Sequence, residues 1–173
     1  DSRFSTLYLV EGCANYKRVR VGWVVTWLDA SSGTTQLTQM PWGASLRGAN
    51  FSTIAEPDAV WRALCRFIRP SHRAVVTVLS DHQPFVAAIN RGHSASAANN
   101  GILARISRRF PALTLRAVHI PGATNPVDEL SRHLSSPSVL DRAERGVRDI
   151  VGSPALGGPQ RPQWLEPSPR VPT

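Results

Sequence analysis

The sequence predicts an α/β domain, and three observations carry that class. Val19, Val21, Trp23, Val25 and Trp27 alternate at the two-residue strand period after an apolar run from Phe4 to Val10. A short, largely β-branched block, Ala74 to Leu79, reads as a buried strand, and Leu113 to Ile120 reads as a further strand. Between and before them, apolar residues recur at helical spacing. With 173 residues and a hydrophobic fraction of 42%, the chain can fill the core of one domain of ordinary size.

Phe4 to Val10 is apolar enough for a first strand, and Val19, Val21, Trp23, Val25 and Trp27 mark a second. Ser31, Ser32 and Gly33 supply a turn into a third strand, Thr34 to Met40, which gives an antiparallel meander. After the loop Pro41 to Ser52, residues Val60, Trp61, Leu64 and Ile68 mark a helix that Pro70 stops. The block Ala74 to Leu79 leads into Ser80 and Asp81, so Asp81 is expected at a strand's C-terminal end. Gln83 to Arg91 forms a short helix with Pro84 tolerated in its first turn, and Ile102, Leu103, Ile106 and Phe110 mark another. After the strand Leu113 to Ile120, Pro121 and Gly122 turn the chain into a short helix, Asn125 to Leu134, that carries Asp128. The expected organisation is one folded domain over 1–136, an extra charged helix over 137–151, and a Pro- and Gly-rich tail, disordered or a linker, over 152–173.

No stretch approaches the roughly 18 apolar residues of a membrane span, and no basic start precedes an apolar segment. An intracellular, soluble protein is the expectation. Cys13 and Cys65 have no metal-ligand spacing and read as free thiols. The net charge of +8 is carried almost wholly by arginine, with Lys17 the only lysine, which makes phosphate the obvious partner. A solvated basic surface would have the same composition.

Four carboxylates, Glu11, Glu56, Asp81 and Asp128, stand in four separate segments at the edges of apolar runs. Converged, they could hold two hard divalent cations flanking one phosphodiester. Spacing alone leaves open that each is an ordinary surface acid.

The wording of the motifs adds a resemblance. The stretch from His119 through Pro121, Gly122, Asn125, Pro126 and Asp128 to Leu130, Ser131 and Arg132 resembles the end of ribonuclease H domains attached to retroelement reverse transcriptases. The block from Ser80 and Asp81 to Asn90, Arg91 and Gly92 resembles the DIRS and VIPER type of tyrosine-recombinase retrotransposon, and the spacing Asn125 to Asp128 is similar to that of hepadnaviral polymerases. Glu56, after Thr53, Ile54 and Ala55, matches the family's metal-binding glutamate. The resemblance spans about Leu7 to Leu134. It implies a ribonuclease H-like fold, with a five-stranded mixed sheet whose first three strands are antiparallel, flanked by helices. It also implies two Mg2+ or Mn2+ ions on Glu11, Glu56, Asp81 and Asp128, endonucleolytic cleavage of the RNA strand of an RNA/DNA hybrid, and an adjoining reverse transcriptase domain in the same polyprotein.

The chain departs from the family at its first strand, where Val10, Glu11, Gly12 and Cys13 replace an aspartate followed by glycine and serine. The longer side chain shifts the carboxylate by roughly an ångström, enough to lower a rate by ~10²-fold. The alternative is therefore a catalytically decayed ribonuclease H-like module that binds nucleic acid or protein. An integrase or resolvase nuclease on the same fold would also use acidic residues and two metals, and the wording from Asn125 to Arg132 argues against it.

Arg105, Arg108 and Arg109 on one helix, and Lys17, Arg18 and Arg20 in the first hairpin, are candidates for phosphate contact, with a solvated helix face and a solvated turn as the plainer readings. Asn90, Asn99 and Asn100 are candidate donors to 2′-hydroxyls. His82, beside Asp81, and His119 are candidate auxiliary groups, with a solvated or structural histidine as the plainer reading of each.

Overall fold

The structure, a computed structural model, describes residues 5–13, 22–29, 34–41, 51–131 and 136–152. Lys17, Arg18, Arg20 and the tail over 153–173 lie outside the described residues. Five strands form one sheet: β1 (Ser5–Cys13), β2 (Gly22–Asp29), β3 (Thr34–Pro41), β4 (Ala74–Ser80) and β5 (Leu113–His119), in the order β3-β2-β1-β4-β5. The β1–β2 and β2–β3 pairs are antiparallel, whereas β1, β4 and β5 are mutually parallel. Helices α1 (Phe51–Phe67), α2 (Gln83–Arg91), α3 (Ala97–Arg109), α4 (Asp128–Ser131) and α5 (Pro137–Val151) complete the domain.

Strand alternation divides the core in two. Leu7 and Leu9 of β1, with Val76 and Val78 of β4, pack beneath α1, α2 and α3. Tyr8, Val10 and Leu79 point the other way, against Val127, Leu130 and helix α5. The buried residues of α5, Val139, Ala143, Val147 and Val151, recur every fourth position and form one stripe over this second face. Ser136 caps that helix by accepting the Val139 N–H, and Pro137 starts it.

Two elements differ from the sequence expectation in ways that matter for the site. Strand β1 continues to Cys13 instead of ending near Val10, because the antiparallel ladder runs on through Glu11↔Val25 to Cys13↔Trp23. Glu11 is thus held inside a ladder, with both neighbours paired. The helix expected from Asn125 begins only at Asp128. Pro126 biases the residue before it away from helical geometry, and Asn125 is extended at φ −67 and ψ 115. A 3-10 turn, Gly122–Thr124, fills part of the gap.

Candidate metal centre

The parallel strands end together, and their polar last residues lie at that edge. On β1 the face carrying Leu7 and Leu9 continues to Glu11, and on β4 the face carrying Val76 and Val78 continues to Ser80. The register Val10↔Leu79 brings these ends side by side, and Ser80 Oγ donates to Glu11 Oε2 at 2.6 Å. The chain leaves β4 at Asp81, which is half-buried. From above, α1 adds Glu56: this residue lies on the same buried stripe as Ala59, Val60, Ala63 and Leu64, a polar group where the helix otherwise presents apolar ones to the sheet.

Glu11, Glu56 and Asp81 each offer a carboxylate oxygen, and these oxygens lie within 4.8 Å of one another. Glu11 is 0% and Glu56 4% exposed. Burial pushes the Glu11 carboxyl up to about 8, with the Asp81 charge adding to the rise and the Ser80 hydrogen bond opposing it. Burial, then the charges of Glu11 and Asp81, push Glu56 up to about 11, so Glu56 holds a proton at neutral pH. Among the described residues, no lysine or arginine is paired with any of the three.

Glu11 Oε1 is buried with no hydrogen-bond partner. An orphaned, buried carboxylate oxygen beside two further carboxylates is the donor set a hard divalent cation takes, and the cation would supply the missing partner and the missing charge together. The residues present fit such an ion.

The segment after β5 shapes this centre through backbone contacts that sequence inspection did not identify. Asn125 Nδ2 donates to the Glu11 carbonyl at 2.9 Å, and its Oδ1 accepts the Val127 N–H at 3.1 Å. A Cβ on Gly12 would lie 2.8 Å from Val127 Cγ2, and one on Gly122 would lie 2.9 Å from Asp81 Oδ2. Glycine at both positions lets the loop close onto Glu11 and Asp81. Ser80 was also missed. A serine directly before an acid at a strand end is weak evidence until its face is known.

Asp128 does not join the three-carboxylate group within that 4.8 Å limit. It is half-buried at the start of α4, one residue beyond Val127, and its N–H is bonded to the Asn125 carbonyl at 3.1 Å. His82 caps α2: its Nδ1 accepts the Phe85 N–H at 3.2 Å, which leaves the proton on Nε2, 3.7 Å from Glu56 Oε2. Burial lowers the His82 pKa, so the ring is neutral there. His119 is exposed at the end of β5, opposite Ser80 in the ladder.

Asn90 and Asn100, expected to meet substrate, are engaged elsewhere. Asn90 donates to the Ala117 carbonyl and accepts the Ala117 N–H, both at 2.9 Å, tying α2 to β5. Asn100 makes the same double contact with Ser94, at 2.6 and 2.7 Å. Asn99 is buried. Asn99 Oδ1 has no hydrogen-bond partner, whereas the Asn90 and Asn100 amides serve the fold, since each backbone group they satisfy lies beyond a regular element's own ladder. Arg105 and Arg108 are exposed on α3.

Neither a protein-family model nor a curated protein matches the chain. Solved structures do. The N-terminal ribonuclease H domain of a Mycobacterium tuberculosis protein, determined as a fusion with maltose-binding protein, aligns with a TM-score of 0.50 at 13% identity, covering 84% of this chain and 99% of that one. LC11-RNase H1, isolated from compost by a metagenomic approach, aligns at 0.49 with 20% identity over 76% of this chain and 94% of its own. The same enzyme in complex with an RNA/DNA hybrid aligns at 0.47 with 19% identity, covering 76% and 99%. The fold is ribonuclease H-like. Among the described residues, no helix is long and apolar enough to cross a membrane.

Proposed function

We propose that this domain is a ribonuclease H of a retroelement reverse transcriptase, which hydrolyses the RNA strand of RNA/DNA hybrids with two divalent cations and leaves a 5′-phosphate and a 3′-hydroxyl. The observation that carries the reading is the convergence of Glu11, Glu56 and Asp81, with one buried oxygen of Glu11 left unpartnered. The fold agrees with it, and the retroelement context rests on the motif wording around Asp81 and Asp128.

Glu11, Glu56 and Asp81 would hold the cations, with Asp128 completing the set from the start of α4. When bound, Mg2+ or Mn2+ supplies a lowered pKa for the attacking water and charge stabilisation at the leaving oxygen. The protein's own task is to place and prepare the ligands. Ser80 fixes one Glu11 oxygen and leaves the other directed into the cluster. Asn125 holds the backbone at Glu11. Glu56 has to give up its proton to become a ligand, and neutral His82, with Nε2–H toward Glu56 Oε2, can stabilise the resulting carboxylate.

The test incubates the domain with labelled RNA/DNA hybrid, double-stranded RNA and double-stranded DNA, in Mg2+, Mn2+ or chelator, beside Asp81→Asn and Asp128→Asn. Hybrid-selective, metal-dependent cleavage that both variants lose is the expected result. Intact cleavage in Asp128→Asn would remove that residue from the set, and a preference for duplex DNA would move the domain to the integrase class.

Two observations favour the decayed-module reading: Glu11 stands where the family has aspartate, and only three of the four acids meet within 4.8 Å. That reading predicts hybrid binding without cleavage in either metal, and turnover restored by Glu11→Asp.

A further inference from the structure

A second concentration of like charge lies away from the carboxylates. Trp61 of α1, Pro70 and three arginines of α3, Arg105, Arg108 and Arg109, line an open basin of about 360 Å³. Pro70 shortly precedes β4 and Arg109 shortly precedes β5, so the basin lies toward the N-terminal ends of those strands, whereas Asp81 follows the C-terminal end of β4. Along α1, the distance from Glu56 to Phe67 is about 16 Å at the helical rise.

The basin's charge has no local counterweight. Arg105, Arg108 and Arg109 recur at i, i+3 and i+4, which puts them on one face of α3. Among the described residues no carboxylate pairs with any of them. The nearest acid on α1, Asp58, is engaged by Arg62 at 2.7 Å. Between Ala59 and Val127 the only acidic residue is Asp81, beyond the C-terminal end of β4. The apolar wall is ordered as well: Trp61 packs edge-on to Phe110, with ring centroids 6.2 Å apart, and the Arg109 guanidinium lies 5.8 Å from the Phe110 ring centre.

We infer that this basin is a binding site for single-stranded nucleic acid, with backbone phosphates on Arg105 and Arg108 and a base against Trp61. Guanidinium groups without carboxylate partners favour phosphate, and an adjacent aromatic wall adds contact with a base face without reading its identity. A duplex fits less well, because its bases are stacked inward and its strands lie across a groove, while this basin is a compact patch with one aromatic wall. The site is separate from the carboxylate centre and does not depend on the nuclease reading.

The experiment measures binding of labelled oligodeoxythymidylate, oligouridylate and RNA/DNA hybrid by fluorescence anisotropy, in chelator, where no metal-dependent cleavage intervenes. The protein carries Arg105→Gln/Arg108→Gln or, as a control with the same change in net charge, Arg145→Gln/Arg148→Gln on α5. The expected result is a loss of about tenfold in single-strand affinity for the α3 variant, with a salt slope smaller by about 1.4, since each single-strand phosphate contact contributes about 0.7. The α5 variant should keep most of its affinity, and hybrid affinity should change less than single-strand affinity in both. The two homopolymers tell DNA from RNA as the preferred strand. Equal losses in the α3 and α5 variants would overturn the site, because net charge would then explain the binding. So would a hybrid loss as large as the single-strand loss, which would make the basin part of the duplex groove, or an acidic peptide of equal charge binding as tightly as the oligonucleotide.

Discussion

The carboxylate centre and the arginine basin both gather like charges, at opposite ends of the parallel strands, and they differ in burial. Glu11 and Glu56 are removed from water, whereas Arg105, Arg108 and Arg109 are exposed. The arginines lie in water without carboxylate partners and stand ready for phosphate. The buried acids cannot all ionise without help. In the metal-free protein Glu11 and Glu56 instead hold protons and stay neutral. Helix α5 shows a third arrangement: Arg142 meets Glu129 of α4, while Arg145 meets Asp141 and Arg148 meets Glu144 within the helix, so these exposed arginines have carboxylate partners. Where like charges are left together, either burial or the absence of partners marks a place prepared for a ligand.

The largest expected effect comes from removing a charge of the carboxylate cluster. Asp81→Asn should lower hybrid cleavage by about 10³-fold or more, a loss of preorganised electrostatics at the reacting group. In chelator the same variant should gain stability over the parent only as pH rises past about 8, where Glu11 ionises and the Asp81 charge opposes it. Denaturant melts in chelator measure this, and a variant that gains nothing there would contradict the account of the cluster.

Next in size is a steric change that leaves every charge in place. Gly122→Ala directs a methyl at 2.9 Å to Asp81 Oδ2, and a displacement of that carboxylate by an ångström should lower turnover by ~10²-fold. Steady-state kinetics at saturating metal check it. Unchanged turnover would show that the loop yields instead of Asp81.

The pH dependence of stability separates the two charge clusters further. Glu11 and Glu56 have folded pKa values raised above the ordinary 4.5, so the unfolded chain releases its protons first. The stabilisation is complete below about pH 4.5 and is lost as pH rises, by about 8 for Glu11 and continuing toward 11 for Glu56. His82 works in the opposite sense below its ordinary value, since its folded pKa is lowered. The clean measurement is therefore the difference between parent and Glu11→Gln in chelator from pH 5 to 8. It should favour the parent at the acidic end and shrink as pH rises. Added Mg2+ should stabilise the parent more at pH 8 than at pH 6, because binding has to displace those protons. A flat difference across the range would mean that Glu11 is ionised throughout.

The smallest effect is expected on α5. Arg145→Ala breaks an exposed i,i+4 pair and should change stability by no more than about 0.5 kcal/mol. Thermal melts in low and high salt would read it, and a larger loss would show that the paired surface contributes more than screening permits.

Much of the fold was legible from local pattern. The apolar block before Asp81 had to be a buried strand, and β4 covers Ala74–Ser80. Pro84 in a first turn and Gly92 past the last one bracket α2, whose C-cap Gly92 takes φ 80, a left-handed geometry that glycine adopts freely. Of the acids, Glu56 carried a signal of its own, a charge on an otherwise apolar helical stripe. The asparagines misled, because a polar side chain in a loop reads the same whether it faces substrate or satisfies a backbone. Asn90 and Asn100 do the latter.

By itself the sequence determined which segments become strands and helices, the net positive charge and the four acidic positions, because periodicity and composition act locally. Only the tertiary structure decided that Glu11, Glu56 and Asp81 meet, that Ser80 and Asn125 hold Glu11 in place, and that Trp61 joins the α3 arginines. Those facts depend on strand register and helix docking. They bring together residues as far apart in the chain as Glu11 and Asn125, whose contact no local pattern contains.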